Sequence, residues 1–395
     1  MEAIMKKELW TKDYIFAVLI LFCVHTGPYL LLSVITVYGR LLSGSDTMAG
    51  MMASVFALSG LFARFLSAYL LDRVSLKKVL LIFTGLMGLA SFLYVFTNTY
   101  IQAFLLRGIQ GLAYGVTCTA MSTYIVRLLD PQQRLEGIGY SSLTANAANA
   151  VCPSIAYALL GPDTDHFKAL FLAVLLSVVI SFVLMLFMKG SKTESVPAAG
   201  KGTGGSGSLV PVMVPFLIWV LMSFAMSSIS AFLSLTALQK GFTGIGLYFT
   251  FNIAGLILSR ILMKKIVRRF GEKAVIIIMI CAIAAGLSGI SAVTDVRQLY
   301  AIGLVIGFAN GVLAPVVNTK MINSVPEEKN GFANAVFFAA GDTGFILGPT
   351  IWGMAAGTSS YGSVFRLASL TALTAVLILL AGNIHTNKQD QMETI

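Results

Sequence analysis

The chain repeats its own charged and glycine landmarks at an offset of 196 residues, close to half of its 395 residues. The matching pairs include Arg64 with Arg260, Arg73 with Arg269, Lys77 with Lys273, Gly111 with Gly307, Gly115 with Gly311, and Pro153 with Pro349. A repeat this long and without a gap predicts two copies of one helical unit, not a short-period solenoid. In a membrane chain, paired halves are typical of alternating-access transporters, whose substrate site lies between the halves.

The composition predicts a membrane protein. Of the residues, 57% are hydrophobic and 11% are charged, against about 25% charged in soluble domains. Apolar runs of about 20 residues predict about twelve membrane-spanning helices, the first over residues 14–38. We therefore expect an all-α membrane protein with one six-helix bundle over residues 1–188 and a second, with a short cytoplasmic tail, over 210–395. Residues 189–209 are rich in Gly and Ser, which predicts a flexible cytoplasmic linker.

The basic residues predict the orientation. Most of the 27 Lys and Arg side chains fall on the side of the expected membrane that carries both termini. The positive-inside rule then places both termini in the cytoplasm, and we expect a multi-pass protein of a bacterial cell membrane. This topology explains the net charge of +10, and we expect no nucleic-acid partner because the basic residues form no soluble domain. The first apolar run is too long for a cleavable signal peptide.

The sequence contains no pattern for a metal or cofactor. The four cysteines, Cys23, Cys118, Cys152 and Cys281, lie singly within apolar runs, which favours small packing residues over ligands. We find no phosphate-binding loop, zinc motif or nucleophile elbow. We therefore expect no enzyme activity, no cofactor and no metal. The expected partners are a small-molecule substrate, protons and the lipid bilayer, with a functional monomer.

A charged motif lies between the second and third expected spans, where residues 68–78 read AYLLDRVSLKK. It resembles the G-x-L-x-D-R-x-G-R-[RK] loop of the major facilitator superfamily, with Ala68, Ser75 and Leu76 departing from that pattern. The resemblance implies a cytoplasmic gate, to which we assign Asp72, Arg73, Lys77, Lys78, Arg64, Arg260 and Arg269. The alternative is charge that serves topology alone, or snorkelling of the two arginines inside spans. Topology would explain Lys77 and Lys78 but not Asp72.

The fourth span carries a buried charge. Residues 107–115 read RGIQGLAYG and resemble the R-x-x-Q-G-x-[GA] segment of the same superfamily. Arginine within a span is costly, so it indicates function unless a partner or water satisfies it. Arg107 and Gln110 share a helix face, and Gly111 and Gly115 form a packing strip. The resemblance links Arg107 with proton movement or substrate contact, whereas the alternative is a structural or snorkelling arginine.

Spans 5 and 11 favour antiport. Residues 139–156 resemble the family's antiporter signature, although alanine or cysteine replaces every glycine after the first. Pro153 preserves a kink through its missing N–H. The counterpart in span 11 retains the pattern better, with Gly344, Gly348 and Pro349 as packing and kink residues.

Among the 17 acidic residues, Asp342 alone lies well inside a span. A carboxylate in such surroundings is a natural proton-binding group, and D-x-G-x-x-x-G-P in this span resembles efflux-type members of the family. Its repeat mate is Asn146, so the two halves differ here. The alternative is a structural carboxylate that bonds to Asn310 or Asn318 in span 10.

His25 is the other titratable candidate within a span. The residues after it, Thr26, Gly27 and Pro28, predict a local bend. A lone histidine on an apolar helix is also compatible with simple packing. The candidates for lining a cavity are Tyr114, Asn146, Asn149 and Asn310.

The resemblance covers essentially the whole chain and implies the major facilitator fold, with two bundles related by a pseudo-two-fold axis around a central cavity. We expect proton-coupled export of a small organic solute, in which Asp342 and Arg107 exchange partners. The first alternative is uptake of a sugar, carboxylate or amine by symport or facilitated diffusion, with Arg107 holding an anion. The remote alternative is a non-transporting membrane receptor or intramembrane enzyme, although an enzyme should cluster His, Asp or Glu within its spans.

Overall fold

The computed structural model describes residues 9–130, 133–161, 166–188, 212–326 and 329–392. Within these ranges the chain forms thirteen α-helices and no strand. The helices are α1 (Lys12–Leu32), α2 (Ile35–Ser43), α3 (Asp46–Leu71), α4 (Leu76–Tyr94), α5 (Tyr100–Leu128), α6 (Arg134–Leu160), α7 (Phe167–Leu186), α8 (Met213–Gln239), α9 (Gly246–Phe270), α10 (Glu272–Ala292), α11 (Val296–Ile322), α12 (Asn330–Thr358) and α13 (Tyr361–Met392).

The twelve long helices lie where the twelve spans were predicted, and α2 is a short additional helix. In the described part of the chain, eleven helices are long and apolar enough to cross a membrane. The remaining long helix, α5, has 29 residues, which is also enough to span a bilayer. It is less apolar because it carries polar side chains such as Arg107 and Gln110.

The first span is shorter than predicted. Instead of running through residues 14–38, α1 ends at Leu32 and α2 begins at Ile35. The break lies at Val34, whose φ of −126° and ψ of −7° are outside the α-helical region. Pro28 lies inside α1, and the helix continues past it for a further turn.

The sequence repeat is reproduced in the helix boundaries. Helices α4 and α10 begin at Leu76 and Glu272, and α6 and α12 begin at Arg134 and Asn330. In each pair the two starts are 196 residues apart. The two halves are therefore copies at the level of individual helix ends.

Helices α5 and α11 also repeat their N-terminal caps. The Thr99 side chain accepts a hydrogen bond from the backbone N–H of Gln102, and the Gln102 side chain accepts one from Asn98 N–H at 3.2 Å. In the second half, Asp295 accepts from Arg297 N–H at 2.7 Å, one residue before the equivalent of Gln102, and Gln298 accepts from Thr294 N–H at 2.9 Å. These reciprocal bonds satisfy backbone donors that a helix start leaves without partners.

A close helix contact repeats as well. A Cβ atom on Gly115 of α5 would lie 2.5 Å from Cβ of Ala63 in α3. At the equivalent positions of the second half, a Cβ atom on Gly311 of α11 would lie 3.0 Å from Cβ of Ser259 in α9. Both glycines therefore permit a helix approach that a larger residue would prevent.

Contacts divide the chain into two units. Unit 1 comprises Met1–Leu31 and Leu58–Val196, and unit 2 comprises Leu32–Ala57 and Pro197–Ile395. Sequence predicted a division at the linker, which would leave residues 32–57 with the first half, whereas their contacts group them with the second. The predicted linker, residues 189–209, lies outside the described residues.

Each unit contains a lysine that closes the end of a helix. In unit 1, Lys77 Nζ donates to the carbonyl oxygens of Leu186 and Met188 at 2.8 and 2.7 Å, at the C-terminus of α7. In unit 2, Lys240 Nζ donates to the carbonyl oxygens of Ser291 and Val293 at the C-terminus of α10. Cations are favourable there because helix C-termini expose carbonyl oxygens without partners. Partial burial lowers the pKa of Lys240 below its ordinary value.

Candidate functional site

The predicted pair on α5 forms in the structure. Arg107 Nη1 donates to Gln110 Oε1 at 2.6 Å, and both side chains are fully buried. A neutral amide accepts from the guanidinium but cannot neutralise its charge. Unit 1 therefore holds a buried positive charge on one face of α5.

The second half has no room for such a side chain at the equivalent position. Gly303 is the repeat mate of Arg107, and a Cβ atom there would lie 2.9 Å from the carbonyl oxygen of Tyr248 and 3.0 Å from its ring. Close packing of α9 on α11 thus excludes a long side chain from this position. The close contact at Gly303 leaves no room for an arginine side chain in this arrangement of α9 and α11.

Helix α1 brings His25 to the same helix, α5. His25 Nδ1 and the hydroxyl of Tyr114 are 2.8 Å apart, and His25 is 8% exposed. Tyr114 lies four residues after Gln110 and seven after Arg107, so the three share one side of α5. The sequence analysis named both His25 and Tyr114 but did not pair them, because they lie on different helices.

In unit 2, Asp342 lies on α12 next to Gly341, which packs against an aromatic pair, and is partly buried. The rings of Trp219, in α8, and Phe337 stack with their centroids 4.8 Å apart. A Cβ atom on Gly341 would lie 3.2 Å from Trp219 Nε1, so the glycine allows the indole to approach α12. The carboxylate is therefore one residue from a tightly packed aromatic contact.

The asparagines named from the sequence lie on α6 and α11. Asn318 Nδ2 donates to Asn334 Oδ1 at 3.1 Å, which joins α11 to α12 two turns before Asp342. Asn310, Asn146 and Asn149 are partly buried on α11 and α6. Their role as cavity-lining residues stays a prediction.

The residues predicted for a gate divide into local contacts and exposed charges. Arg73 Nη1 donates to the Tyr69 hydroxyl at 2.6 Å, and its guanidinium lies 4.1 Å from the Tyr69 ring centroid. Lys77 closes α7, as described above. The others, Asp72, Lys78, Arg64, Arg260 and Arg269, are exposed. Their role as a gate is a prediction.

The predicted packing residues lie at helix contacts. A Cβ atom on Gly344 would lie 2.5 Å from the backbone nitrogen of Phe224, and one on Gly348 would meet Ser227. These glycines hold α12 against α8. Gly111 and Pro153 are buried within α5 and α6, and α6 is continuous through the proline.

One polar cluster was missed by the sequence analysis. Asp46, the first residue of α3, accepts a hydrogen bond from the Tyr361 hydroxyl at 2.7 Å and lies 3.3 Å from Arg40 Nε. All three residues belong to unit 2. Asp46 resembles an ordinary helix-start carboxylate in the sequence, and its partner Tyr361 is 315 residues away. Nothing in the local pattern indicates the pairing.

Among the described residues, no group of three or more His, Cys, Asp or Glu side chains could hold a metal ion. The polar groups identified above are single or paired. They can hold and pass protons and contact a solute, but they form no nucleophile–base arrangement.

Comparisons with known proteins agree with one another. The profile of the Major Facilitator Superfamily matches residues 17–258 and 216–392. Multidrug resistance protein 1 of Bacillus subtilis (strain 168) is 25% identical over 322 residues, covering 78% of this chain and 81% of the relative. Quinolone resistance protein NorA of Staphylococcus aureus (strain COL) is 20% identical over 380 residues, covering 91% and 94%.

A solved structure shows the same fold. The crystal structure of the nucleoside transporter NupG matches with a TM-score of 0.79 and 14% identity, covering 94% of this chain and 99% of that one. The two profile matches together span nearly the whole sequence, in keeping with the repeat of the halves. This chain is a membrane transporter, not an enzyme, and belongs to the Major Facilitator Superfamily.

Proposed function

We propose that this transporter exports a small organic solute, such as a drug or metabolite, in exchange for protons. The observation that carries the proposal is Asp342, a partly buried carboxylate near the middle of α12. Ionisable groups within membrane spans are costly to bury. They therefore mark proton or substrate paths. The two bundles would expose a central cavity alternately to each side of a bacterial cell membrane. The protein would act as a monomer with both termini in the cytoplasm.

The named relatives support the proposed direction of transport. Two of them are called resistance proteins, one for multiple drugs and one for quinolones. A membrane transporter confers resistance most simply by moving the toxic compound out of the cell. Export is therefore the direction that we propose for this chain.

The His25–Tyr114 contact supports a proton-binding role in unit 1. Neutral imidazole can accept at Nδ1 from the tyrosine hydroxyl, whereas protonated imidazole must donate from both nitrogens. Gain of a proton would thus force Tyr114 to change from donor to acceptor. This change would reorient a hydroxyl on the face of α5 that also carries Arg107 and Gln110.

Arg107 and Asp342 would form the second part of the coupling. Gln110 accepts a hydrogen bond from the Arg107 guanidinium, and a bond from the guanidinium to a carboxylate is stronger than one to a neutral amide. In the proposed cycle, Asp342 attracts Arg107 when ionised and releases it when protonated or bound to solute. The amide nitrogen of Gln110 is buried without a hydrogen-bond partner among the described side chains, so it can donate to a solute.

The surroundings of Asp342 suit a solute with an aromatic or apolar body. Phe338 and Phe345 lie four residues before and three after Asp342, on the same side of α12. They are 50% and 40% exposed, so neither ring is packed away inside unit 2. Aromatic faces beside a carboxylate attract apolar groups and cations together.

The test measures transport and proton movement in the same vesicles. Purified protein is reconstituted into liposomes with an inside-acid pH gradient and a pH-sensitive dye inside. A panel of fluorescent aromatic solutes is then supplied outside. Antiport predicts that solute accumulates while protons leave the lumen. In Asp342→Asn, both signals should fall together to the level of empty liposomes.

The matched control is Asp130→Asn, which removes an exposed carboxylate from the loop after α5. It should transport like the unmodified protein. Undiminished coupling in Asp342→Asn would remove that residue from the mechanism. If solute instead accumulates only when the gradient is reversed, with the outside acidic and protons entering, the protein is a symporter, the uptake alternative.

A further inference from the structure

Helices α9 and α11 of unit 2 pack closely at first and enclose a cavity towards their ends. A Cβ atom on Gly307 of α11 would meet the backbone of Asn252 in α9. One turn later, a Cβ atom on Gly311 would lie 3.0 Å from Cβ of Ser259. The next residue on this side of α11 is Pro315, whose ring removes a backbone hydrogen bond within the helix. The cavity begins at this proline and has a volume of about 340 Å³.

The cavity combines an apolar lining with two cations. We call it the α9–α11 cavity and define it by Met263, Val267, Pro315 and Val316, which are apolar, and by Lys264 and Arg268. The two basic residues are exposed and lie four residues apart, on one face of α9. In the described part of the chain, neither of them is in an ion pair. Their charges are therefore available to an anion in the cavity.

One carboxylate also lines the cavity, and the fold supplies its counter-charge. Glu272 is the first residue of α10, where the backbone N–H groups of the helix start favour a negative charge. Its Oε1 atom lies 3.7 Å from Nζ of Lys320 in α11. Glu272 is thus balanced within unit 2, and Lys264 and Arg268 remain as excess positive charge.

Helix α9 arranges apolar and basic side chains in the order of a phospholipid. One stripe of the helix carries, at intervals of three or four residues, Ile257, Ile261, Lys264 and Arg268. The two isoleucines are 57% and 70% exposed. About 10 Å of helix separates Ile257 from Lys264, at 1.5 Å per residue. An acyl chain can therefore lie along the isoleucines while its phosphate reaches the two cations.

The first half lacks these charges at the equivalent positions. The repeat mates of Lys264, Arg268, Glu272 and Lys320 are Ala68, Asp72, Leu76 and Tyr124. The close helix contact through Gly115 is nevertheless the counterpart of that through Gly311. Packing of the repeated helices therefore does not depend on the charges, which give unit 2 a basic cavity that the first half cannot form in the same way.

We propose that the α9–α11 cavity binds an anionic phospholipid, with the phosphate held by Lys264 and Arg268 and an acyl chain on the apolar lining. Basic pockets between membrane-spanning helices suit such headgroups, and the arginine fork can bond to two phosphate oxygens at once. The apolar lining favours a lipid over a free phosphate ion, which gains nothing from apolar contact. This binding requires no particular solute or coupling ion.

The first experiment measures lipid retention by native mass spectrometry. The full-length protein is equilibrated in micelles that contain equal amounts of phosphatidylglycerol, which is anionic, and phosphatidylcholine, which is zwitterionic. The unmodified protein should retain phosphatidylglycerol in preference. Lys264→Gln combined with Arg268→Gln should lower this retention about fivefold or more, because both cations that face the phosphate are lost.

The matched control is Lys265→Gln combined with Lys273→Gln. It removes two exposed positive charges from α9 and the start of α10 without changing the cavity lining. This control should retain phosphatidylglycerol like the unmodified protein. An equal loss in the two double variants would overturn the site, because the lipid would then respond to net charge alone. Undiminished retention in both would overturn it as well.

The second experiment fills the cavity while every cation stays in place. Thr319 is an exposed residue of the cavity wall. Thr319→Trp should lower phosphatidylglycerol retention several-fold, because the indole occupies space that the lipid needs. Thr319→Ser keeps the space open and should retain the lipid. Full retention by Thr319→Trp would place the lipid elsewhere and refute the proposal.

A third measurement distinguishes a lipid from a free anion. Phosphatidylglycerol should raise the thermal unfolding temperature of the detergent-solubilised protein, whereas inorganic phosphate and glycerol phosphate at the same concentration should not. An equal rise with inorganic phosphate would mean that the cavity takes a small anion, and the lipid site would be rejected. None of these measurements uses transport. Their outcome is therefore independent of the proton-coupled export proposed above.

Discussion

The Nδ1 atom of His25 lies 2.8 Å from the hydroxyl oxygen of Tyr114, which joins α1 to α5 inside the first unit. The next turns of α5 towards its start carry Gln110 and Arg107. A proton on His25 would therefore act on the helix that holds the buried arginine. This relationship gives the first test of the proposed coupling.

Tyr114→Phe should weaken coupling while keeping the ring that packs on His25. Loss of one hydrogen bond corresponds to about 1 kcal/mol, or roughly a fivefold fall in proton-driven transport. The measurement is solute transport in liposomes at several internal pH values. Tyr29→Phe is the control. It removes the hydroxyl of a second tyrosine near His25, whose ring centroid is 6.1 Å from that of His25. A wild-type pH profile for Tyr114→Phe would exclude this pair from coupling.

Gln110→Leu should destabilise the protein, because it leaves the buried Arg107 guanidinium without its 2.6 Å acceptor. A hydrogen bond to a charged group contributes about 2 kcal/mol. The thermal unfolding temperature of the detergent-solubilised protein should fall accordingly. Gln110→Glu retains an acceptor and adds a compensating charge, so it should unfold at or above the wild-type temperature. An unchanged temperature for Gln110→Leu would show that other groups satisfy the arginine.

Gly115→Ala should also destabilise the fold, through steric conflict between α5 and α3. The added Cβ would meet that of Ala63 at 2.5 Å, and such overpacking costs about 1–3 kcal/mol. Gly139→Ala provides the contrast, because nothing lies within 4 Å of a Cβ there. Alanine in an open helical position should stabilise by about 0.5–1 kcal/mol. Unfolding temperatures that shift in the same direction for both variants would contradict the close contact.

Lys77→Met and Lys78→Met test whether each lysine stabilises the structure or serves only the membrane topology. Lys77 donates to two carbonyl oxygens at the end of α7, whereas Lys78 is exposed. Loss of the charge-assisted bonds should lower stability by about 1.5 kcal/mol in Lys77→Met. Lys78→Met should unfold close to the wild-type temperature. Equal losses in the two variants would mean that the lysines act through net charge alone.

Local patterns were sufficient to predict much of this fold. The helices follow apolar runs, and the Arg107–Gln110 pair follows from three-residue spacing on one helix. The repeat of Gly115 at Gly311 likewise anticipated an equivalent helix contact in each half. Such features depend on neighbours along the chain or on a period within it. They can be predicted without knowledge of the tertiary structure.

Contacts between distant helices were not predictable in this way. His25 and Tyr114 are 89 residues apart, and Asp46 and Tyr361 are 315 apart. Single-sequence spacing fixes which face of its own helix a residue occupies, but not which face of another helix it meets. The break between α1 and α2 was missed for a related reason. The residues around Ser33 and Val34 are apolar enough to continue a span, and tertiary packing decides where the helix stops.

The placement of residues 32–57 has a consequence for dissecting the protein. A cut at the linker would produce two fragments whose boundary matches the sequence repeat but not the two units defined by contacts. The C-terminal fragment would lack the segment that covers Pro349 and Gly353 of α12, and it would expose that small-residue surface to lipid or to other chains. A separately expressed C-terminal half would therefore need residues 32–57 of the other fragment to complete unit 2. In this transporter, the sequence repeat and the units defined by contacts have different boundaries.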